Sequence, residues 1–237
     1  NRFVHLLQST RKTLVMGILN ATPDSFADED RDGLDPRTAV PKAERLLADG
    51  AHCLDLGGES FHPRAAPISA EEEQARVLPV LAAVRGEFGT APILSIDTKN
   101  AETAEKALDL GVDILNLRGG LRAVAGAAKL AAAHGAAVVS YHADDLRRQA
   151  TVEALGSVQL FFLDEERRAQ AAGLGPANLV FDPGIGIGKT AAQSLFLVRS
   201  FGHLRAALPR KQALLLGAAR KEHLGKVTQQ ELGLAEL

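Results

Sequence analysis

Residues Phe181 to Thr190 read FDPGIGIGKT. The stretch ends in Gly-Lys-Thr, as a nucleotide-binding P-loop does. A P-loop sets four residues between its first glycine and the Gly-Lys pair. Counting back from Gly188 puts Pro183 at that first position, and proline has no N–H to give a phosphate. The dinucleotide fingerprint G-x-G-x-x-G fails too, because the glycines stand at 184, 186 and 188. What remains is the run Asn178-Leu179-Val180-Phe181, then an acid, then a glycine-rich turn. That is a strand delivering Asp182 to its C-terminal end, with a solvated turn aspartate as the alternative.

The same rhythm runs through the chain. Short apolar runs cover Thr13–Leu19, Cys53–Leu56, Ile93–Ile96, Ile114–Leu117, Ala136–Tyr141, Leu179–Phe181 and Ala213–Leu216. Helical patterns lie between them, over Pro36–Ala48, Ala70–Arg85, Ala101–Leu110, Arg122–His134, about Val152–Ala172 and Ala191–Ala206. Strands alternating with helices of this length imply βαβ units and a parallel sheet. Continuously apolar strands imply burial on both faces. Each strand ends in a polar or glycine-rich turn, which predicts a TIM (β/α)₈ barrel with its site at the strand C-termini. A doubly wound open sheet also places ligands there, but it lacks support without a dinucleotide fingerprint. Residues 1–237 read as a single domain.

Composition narrows the function. The 237 residues are 46% hydrophobic, with a net charge of −2 and both signs mixed throughout. That gives no electrostatic footprint for nucleic acid or for a membrane surface. Aromatic residues make up only 4%, too few for a stacking platform. No apolar run reaches the roughly 18 residues of a membrane span, and no signal-peptide pattern opens the sequence. The single Cys53 allows no internal disulfide and fits a reducing compartment. A soluble cytoplasmic protein is expected.

The candidate chemistry sits at the strand ends. Asp97 follows Ile93-Leu94-Ser95-Ile96, Asp182 follows Leu179-Val180-Phe181, and Asn116 lies near the end of its own strand. If these strands are neighbours, two carboxylates and an amide converge. Carboxylates accept hydrogen bonds and an amide both donates and accepts, which suits a planar, nitrogen-rich ring carrying N–H donors. Each aspartate also precedes a helix, so an N-cap is the competing role. Arg220-Lys221, after the seventh strand, suggests an anionic or electron-rich substrate, or else a surface pair. The loop from Asn20 through Asp24 and Ser25 offers oxygen ligands to a hard cation such as Mg²⁺. His142 reads as a packed neutral histidine, with an acid–base group as the alternative, and Cys53 reads as inert core.

Taken together, these segments resemble dihydropteroate synthase, a family of pterin-binding TIM barrels in folate biosynthesis. The matching motifs are Met16 to Phe26 (MGILNATPDSF), Leu54 to Ser60 (LDLGGES), Ser95 to Thr98 (SIDT), Asp182 to Thr190 (DPGIGIGKT) and Arg220-Lys221, in family order. The resemblance implies a transferase that condenses 6-hydroxymethyl-7,8-dihydropterin pyrophosphate with 4-aminobenzoate and releases pyrophosphate with Mg²⁺. It implies that Asp97, Asn116, Asp182 and Lys221 hold the pterin, with Gly217 and Arg220 also in the substrate site. Lys221, Asp97 and Asp182 become the catalytic set, and Asn20 meets the metal and the pyrophosphate. The family also implies a homodimer.

The sequence departs from the family pattern at several places. Phe61-His62 replace the usual Thr-Arg after Gly-Gly-Glu-Ser, on a substrate loop. Leu117 replaces the aspartate of an Asn-Asp pair, Tyr141 a methionine, and Ala219 a serine. The family's closing strand, with its Arg-x-His anion site, has no counterpart, so a segment is expected to be missing near residues 224–228. Two rivals stay open: a non-catalytic pterin-binding paralogue, and a methyltetrahydrofolate:corrinoid methyltransferase on a similar barrel.

Overall fold

The computed structural model describes residues 1–10, 12–21, 35–59, 66–208, 210 and 212–219. Strands and helices alternate along the chain as β1 (Met16–Asn20), α2 (Pro36–Ala48), β2 (Cys53–Gly57), α3 (Ala70–Phe88), β3 (Ile93–Thr98), α4 (Ala101–Asp109), β4 (Ile114–Arg118), α5 (Ala127–His134) and β5 (Ala137–Tyr141). They continue with α6 (Glu153–Ala171), β6 (Leu179–Asp182), α7 (Ala191–Arg199), α8 (Phe201–Ala207) and β7 (Ala213–Leu214), and α1 (Arg2–Ser9) precedes them all. The strands form one sheet in the order β1-β2-β3-β4-β5-β6-β7. β1 pairs with β2, β2 with β3 and β6 with β7, all in parallel. Sequential order of parallel strands is the barrel rule, in contrast to the order reversal of an open doubly wound sheet.

All seven strands fall where the apolar runs predict them. The helices differ in three places. Residues 122–126 form turns rather than helix, and α5 begins only after Gly126, whose φ is +82°. The single helix expected over Ala191–Ala206 breaks at Ser200 into α7 and α8. α1 was not legible as part of the alternation. It forms because Asn1 caps it, its side-chain oxygen accepting from Phe3 N and Val4 N. Arg2 then anchors it with an ion pair of 2.7 Å to Asp113, at the N-terminal end of β4.

The contacts divide the chain into two compact units. One comprises Asn1–Asn116 with Lys129–Val138, the other Leu117–Ala128 with Val139–Leu237. In the first unit β2 is buried at every position, and Leu54, Leu56, Leu94 and Ile96 are fully enclosed. Each such side chain contributes about 1.5–3 kcal/mol of hydrophobic burial. α3 closes over this layer through Val77, Val80, Leu81 and Val84. Its start is set by the Ser69 cap and by Glu71, Glu72 and Glu73 in the first turn, where acids favour the helix dipole. In the second unit Phe162 of α6 stacks on Phe181 of β6, with ring centroids 4.5 Å apart.

Candidate functional site

In the first unit, strand register assembles the polar groups. Asp55 pairs with Ser95, Gly57 with Asp97, and Asn20 with Gly57. Successive residues of a strand point to opposite faces, so Asn20, Asp55, Gly57, Ser95 and Asp97 share one face. Asn20 and Asp97 form its outer row, at the strand ends. A Cβ added to Gly57 would lie 3.4 Å from Asn20 Oδ1 and 3.7 Å from Asp97 Cβ, so the glycine leaves space between an amide and a carboxylate. Asp97 is no helix cap: α4 is preceded by Asn100, and Asn100 itself makes no side-chain cap bond. The end of β3 is held instead by buried Glu73, which accepts from Thr98 Oγ1 at 2.7 Å and Asn100 Nδ2 at 2.9 Å. Lys99 adds an ion pair of 2.8 Å to Glu59.

The inner row holds a group that the sequence reading passed over. Asn116 Nδ2 donates to Asp55 Oδ2 at 3.0 Å, and both residues are buried. Burial pushes the Asp55 carboxyl up to about 6, opposed by Ser95 and Asn116. Ser95 stands near enough to act on that carboxyl. Yet among the described residues Ser95 Oγ, Asp55 Oδ1 and Asn116 Oδ1 are all buried without a hydrogen-bond partner of good geometry. A signal for Asp55 was available: it is a lone acid inside the apolar run Cys53–Leu56. Cys53, two positions before it, is a packed thiol held up at about 12, first by burial and then by the charge of Asp55.

In the second unit, Asp182 ends β6 and is buried. A solvated turn aspartate is therefore ruled out, although the side chain does shape the turn. Its Oδ1 accepts from Gly184 N at 2.7 Å. The N-cap role is ruled out as well, because Thr190 caps α7 in a capping box with Gln193. Gly217, just beyond β7, lies close to the carboxylate: a Cβ there would sit 3.1 Å from Asp182 Oδ2.

The Gly-Lys-Thr ending has a structural task. Lys189 is buried, and its Nζ reaches Ile187 O at 2.9 Å, Gly184 O at 3.0 Å, His142 Nδ1 at 3.1 Å and His142 O at 3.2 Å. The ammonium therefore ties the turn to the end of β5 and does not stand in a phosphate cradle. Gly184 has φ +66°, and any side chain there would overlap the His142 carbonyl. Because lysine only donates, His142 Nδ1 accepts and its ring proton sits on Nε2. Burial, and then the Lys189 cation, lower the His142 pKa to about 4. The packed neutral histidine expected from the sequence is what the fold contains.

A second buried acid, Glu165 of α6, secures the turn after β4. It accepts from Ser140 Oγ and from the backbone N–H groups of Leu121 and Arg122. Burial raises its pKa against those bonds. Of the departures, Leu117 is fully buried and points to the sheet face opposite Asn116, so it leaves the polar face unchanged. Tyr141 is buried and its hydroxyl takes a bond of 3.2 Å from Arg118 Nε. Arg220, Lys221, Phe61, His62 and the expected join near residues 224–228 lie outside the described residues.

The second unit thus carries a buried carboxylate, Asp182, at a strand C-terminus, while the first carries half-buried Asp97 near the end of β3 and, one row inside it, the buried Asp55–Asn116 pair. Among the described residues no three His, Cys, Asp or Glu side chains gather as a metal cluster, and no helix is long and apolar enough to cross a membrane. Comparison with known proteins gives this arrangement a context. The family model for pterin binding enzymes matches residues 16–236. The dihydropteroate synthase of a Synechocystis species is 36% identical, covering 93% of this chain and 76% of that protein. The one from Bacillus subtilis is 35% identical, covering 93% and 75%. Among solved structures, the dihydropteroate synthase of Clostridium difficile, determined in the presence of pteroic acid, aligns with a TM-score of 0.84 at 33% identity over 95% of this chain and 83% of that one. The Xanthomonas albilineans enzyme, solved with 4-aminobenzoic acid, aligns with a TM-score of 0.83 at 32% identity over 94% and 78%. The parallel α/β fold is accordingly TIM-barrel-like.

Proposed function

The chain belongs to the pterin-binding enzyme family, and from that premise we propose that it is a dihydropteroate synthase of folate biosynthesis. It transfers the methylene of 6-hydroxymethyl-7,8-dihydropterin pyrophosphate to the amino group of 4-aminobenzoate and releases pyrophosphate. The observation that carries this reading is the set of acceptors at and just inside the strand ends, where buried Asp55 Oδ1 and Asn116 Oδ1 have no hydrogen-bond partner among the described residues. Buried polar atoms are almost always satisfied, and a ring edge bearing N–H groups would satisfy these. Both compact units serve one pterin-binding domain in this reading, in a cytoplasmic homodimer.

The roles follow from charge. Asp97, Asn116 and Asp182 bind the pterin, with Gly217, Arg220 and Lys221. The breaking C–O bond leaves positive charge on the pterin methylene and negative charge on the departing pyrophosphate. Asp97 and Asp182 stabilise the cation, Lys221 and Arg220 face the electron-rich groups, and no protein nucleophile is needed. Bound Mg²⁺ would neutralise the pyrophosphate. A single protein oxygen, Asn20 Oδ1, beside the space at Gly57 fits a cation that keeps waters and substrate phosphates as its other ligands.

The decisive test is pyrophosphate release from dihydropterin pyrophosphate with 4-aminobenzoate. Steady turnover is expected. Tight pterin binding without turnover would replace the enzyme by a non-catalytic paralogue. A requirement for a cobalamin partner would indicate the corrinoid methyltransferase. Asn20→Ala is expected to weaken pyrophosphate binding in the presence of Mg²⁺, measured by calorimetry, and to leave free pterin binding nearly intact. Equal losses for the two ligands would remove Asn20 from the metal site.

A further inference from the structure

We infer that Asp55 is a positioning residue that fixes the orientation of the Asn116 amide, so that Asn116 meets the substrate ring as a hydrogen-bond acceptor. An asparagine amide can present either its oxygen or its NH₂ group to a ligand, and the two ends have nearly the same shape. Nothing in the position of Asn116 alone selects between them. Here the choice is made by Asp55, which can only accept when ionised. Its Oδ2 takes Asn116 Nδ2 at 3.0 Å in a buried setting, and among the described residues Asn116 Oδ1 is left buried without a partner. The amide therefore has one committed end and one vacant end, and the vacant end is the acceptor.

Register explains why this pair exists. Asp55 stands opposite Ser95 on β3, one row inside Asp97. Asp55 Oδ1, Ser95 Oγ and Asn116 Oδ1 are three of the buried polar atoms of the first unit that have no hydrogen-bond partner among the described residues. Buried polar atoms are almost always satisfied, so such a group is retained where a ligand completes it. The matching ligand is a heteroaromatic ring with adjacent N–H donors on one edge, such as a 2-amino-4-oxo pyrimidine ring. Identifying it as a pterin rests on the function proposed above.

A double-mutant cycle tests this role on the full chain. The probe is dihydropterin pyrophosphate, with its Kd from calorimetry and its KM separated from kcat. Asp55→Ala is expected to weaken binding by about tenfold or more, the worth of one lost charge-assisted hydrogen bond. Added to Asn116→Ala, it is expected to cost little further, because its effect passes through the amide. Asp55→Asn keeps an oxygen that can accept from Asn116 Nδ2, so it is expected to stay within about threefold of the parent in Kd, well under the 1.4 kcal/mol of a tenfold change. A purely structural role would lower the melting temperature without moving Kd or KM. Losses that multiply in the double variant would overturn the inference, as would Asp55→Asn falling as far as Asn116→Ala. A parent chain that binds the probe while Asp55→Ala binds it equally well refutes the role of Asp55 alone. A parent chain that does not bind it refutes the pterin reading first and the inference with it.

Discussion

Asp182→Asn is expected to reduce pterin affinity by roughly ten- to a hundredfold, about 1.5–3 kcal/mol, while leaving the fold nearly as stable as before. The asymmetry comes from how the two carboxylate oxygens are used. Oδ1 accepts from Gly184 N at 2.7 Å and holds the turn. An asparagine oxygen in that place accepts the same bond. Oδ2 faces Gly217, where an added Cβ would stand 3.1 Å away. In the variant the Oδ2 position becomes NH₂, a donor where the proposed pterin offers donors of its own. The substitution therefore removes a charge-assisted bond and opposes two donor groups, but it creates no cavity and keeps an acceptor for Gly184 N. Calorimetry with pterin and chemical denaturation, run on the same preparation, separate the two effects. Unchanged affinity, or a loss of stability as large as the loss of binding, would remove Asp182 from the ligand site.

How far the sequence leads depends on the physical range of each signal. The strands were legible because fully buried parallel strands are predominantly apolar, as in the unbroken run Leu179-Val180-Phe181. The strand-end positions of Asp97 and Asp182 were legible because each follows an apolar run. Helix ends were less so. The break at Ser200 and the late start of α5 follow from local turn geometry that helix periodicity does not encode. The groups that were missed are those whose meaning is tertiary. Asp55 acts through Asn116, sixty-one positions away in sequence. Glu165 serves the turn at Leu121 and Arg122 from a different helix. Lys189 looked like part of a nucleotide motif because the motif is local, while its partner His142 lies forty-seven positions earlier.

That lysine carries the largest expected effect on stability. Lys189→Met should lower the unfolding free energy by about 3–4 kcal/mol, because it takes the donor from several buried acceptors at once. Ile187 O, Gly184 O, His142 O and His142 Nδ1 all lie within 3.2 Å of the ammonium. Methionine matches the stem in length and apolar volume, so the loss reads the polar head rather than a cavity. Such a loss is a large share of the roughly 5–15 kcal/mol that holds a domain folded. The pH dependence gives a second reading of the same contact. His142 titrates near 4 in the folded chain, below its ordinary 6.5, from burial first and the Lys189 cation second. Between those values the unfolded chain binds a proton that the folded chain refuses. Stability from this group is therefore complete above about 6.5 and is lost as pH falls toward 4. Asp55 acts in the opposite sense: its raised value near 6 means stability that is present at low pH and lost as pH rises through about 6. The two terms oppose each other in the parent, so the parent curve alone does not isolate either. The difference between parent and Lys189→Met does, because Asp55 contributes equally to both. With the cation gone, the folded His142 titrates closer to its ordinary value. The variant then loses less on acidification, and the gap between the two proteins narrows from pH 7.5 to pH 5. Urea titrations at the two pH values measure it. A stability within about 1 kcal/mol of the parent at pH 7.5, less than a single buried hydrogen bond to a charged group, would show that the ammonium does not hold this turn. A gap that stays constant between the two pH values would show that Lys189 and His142 are not electrostatically linked.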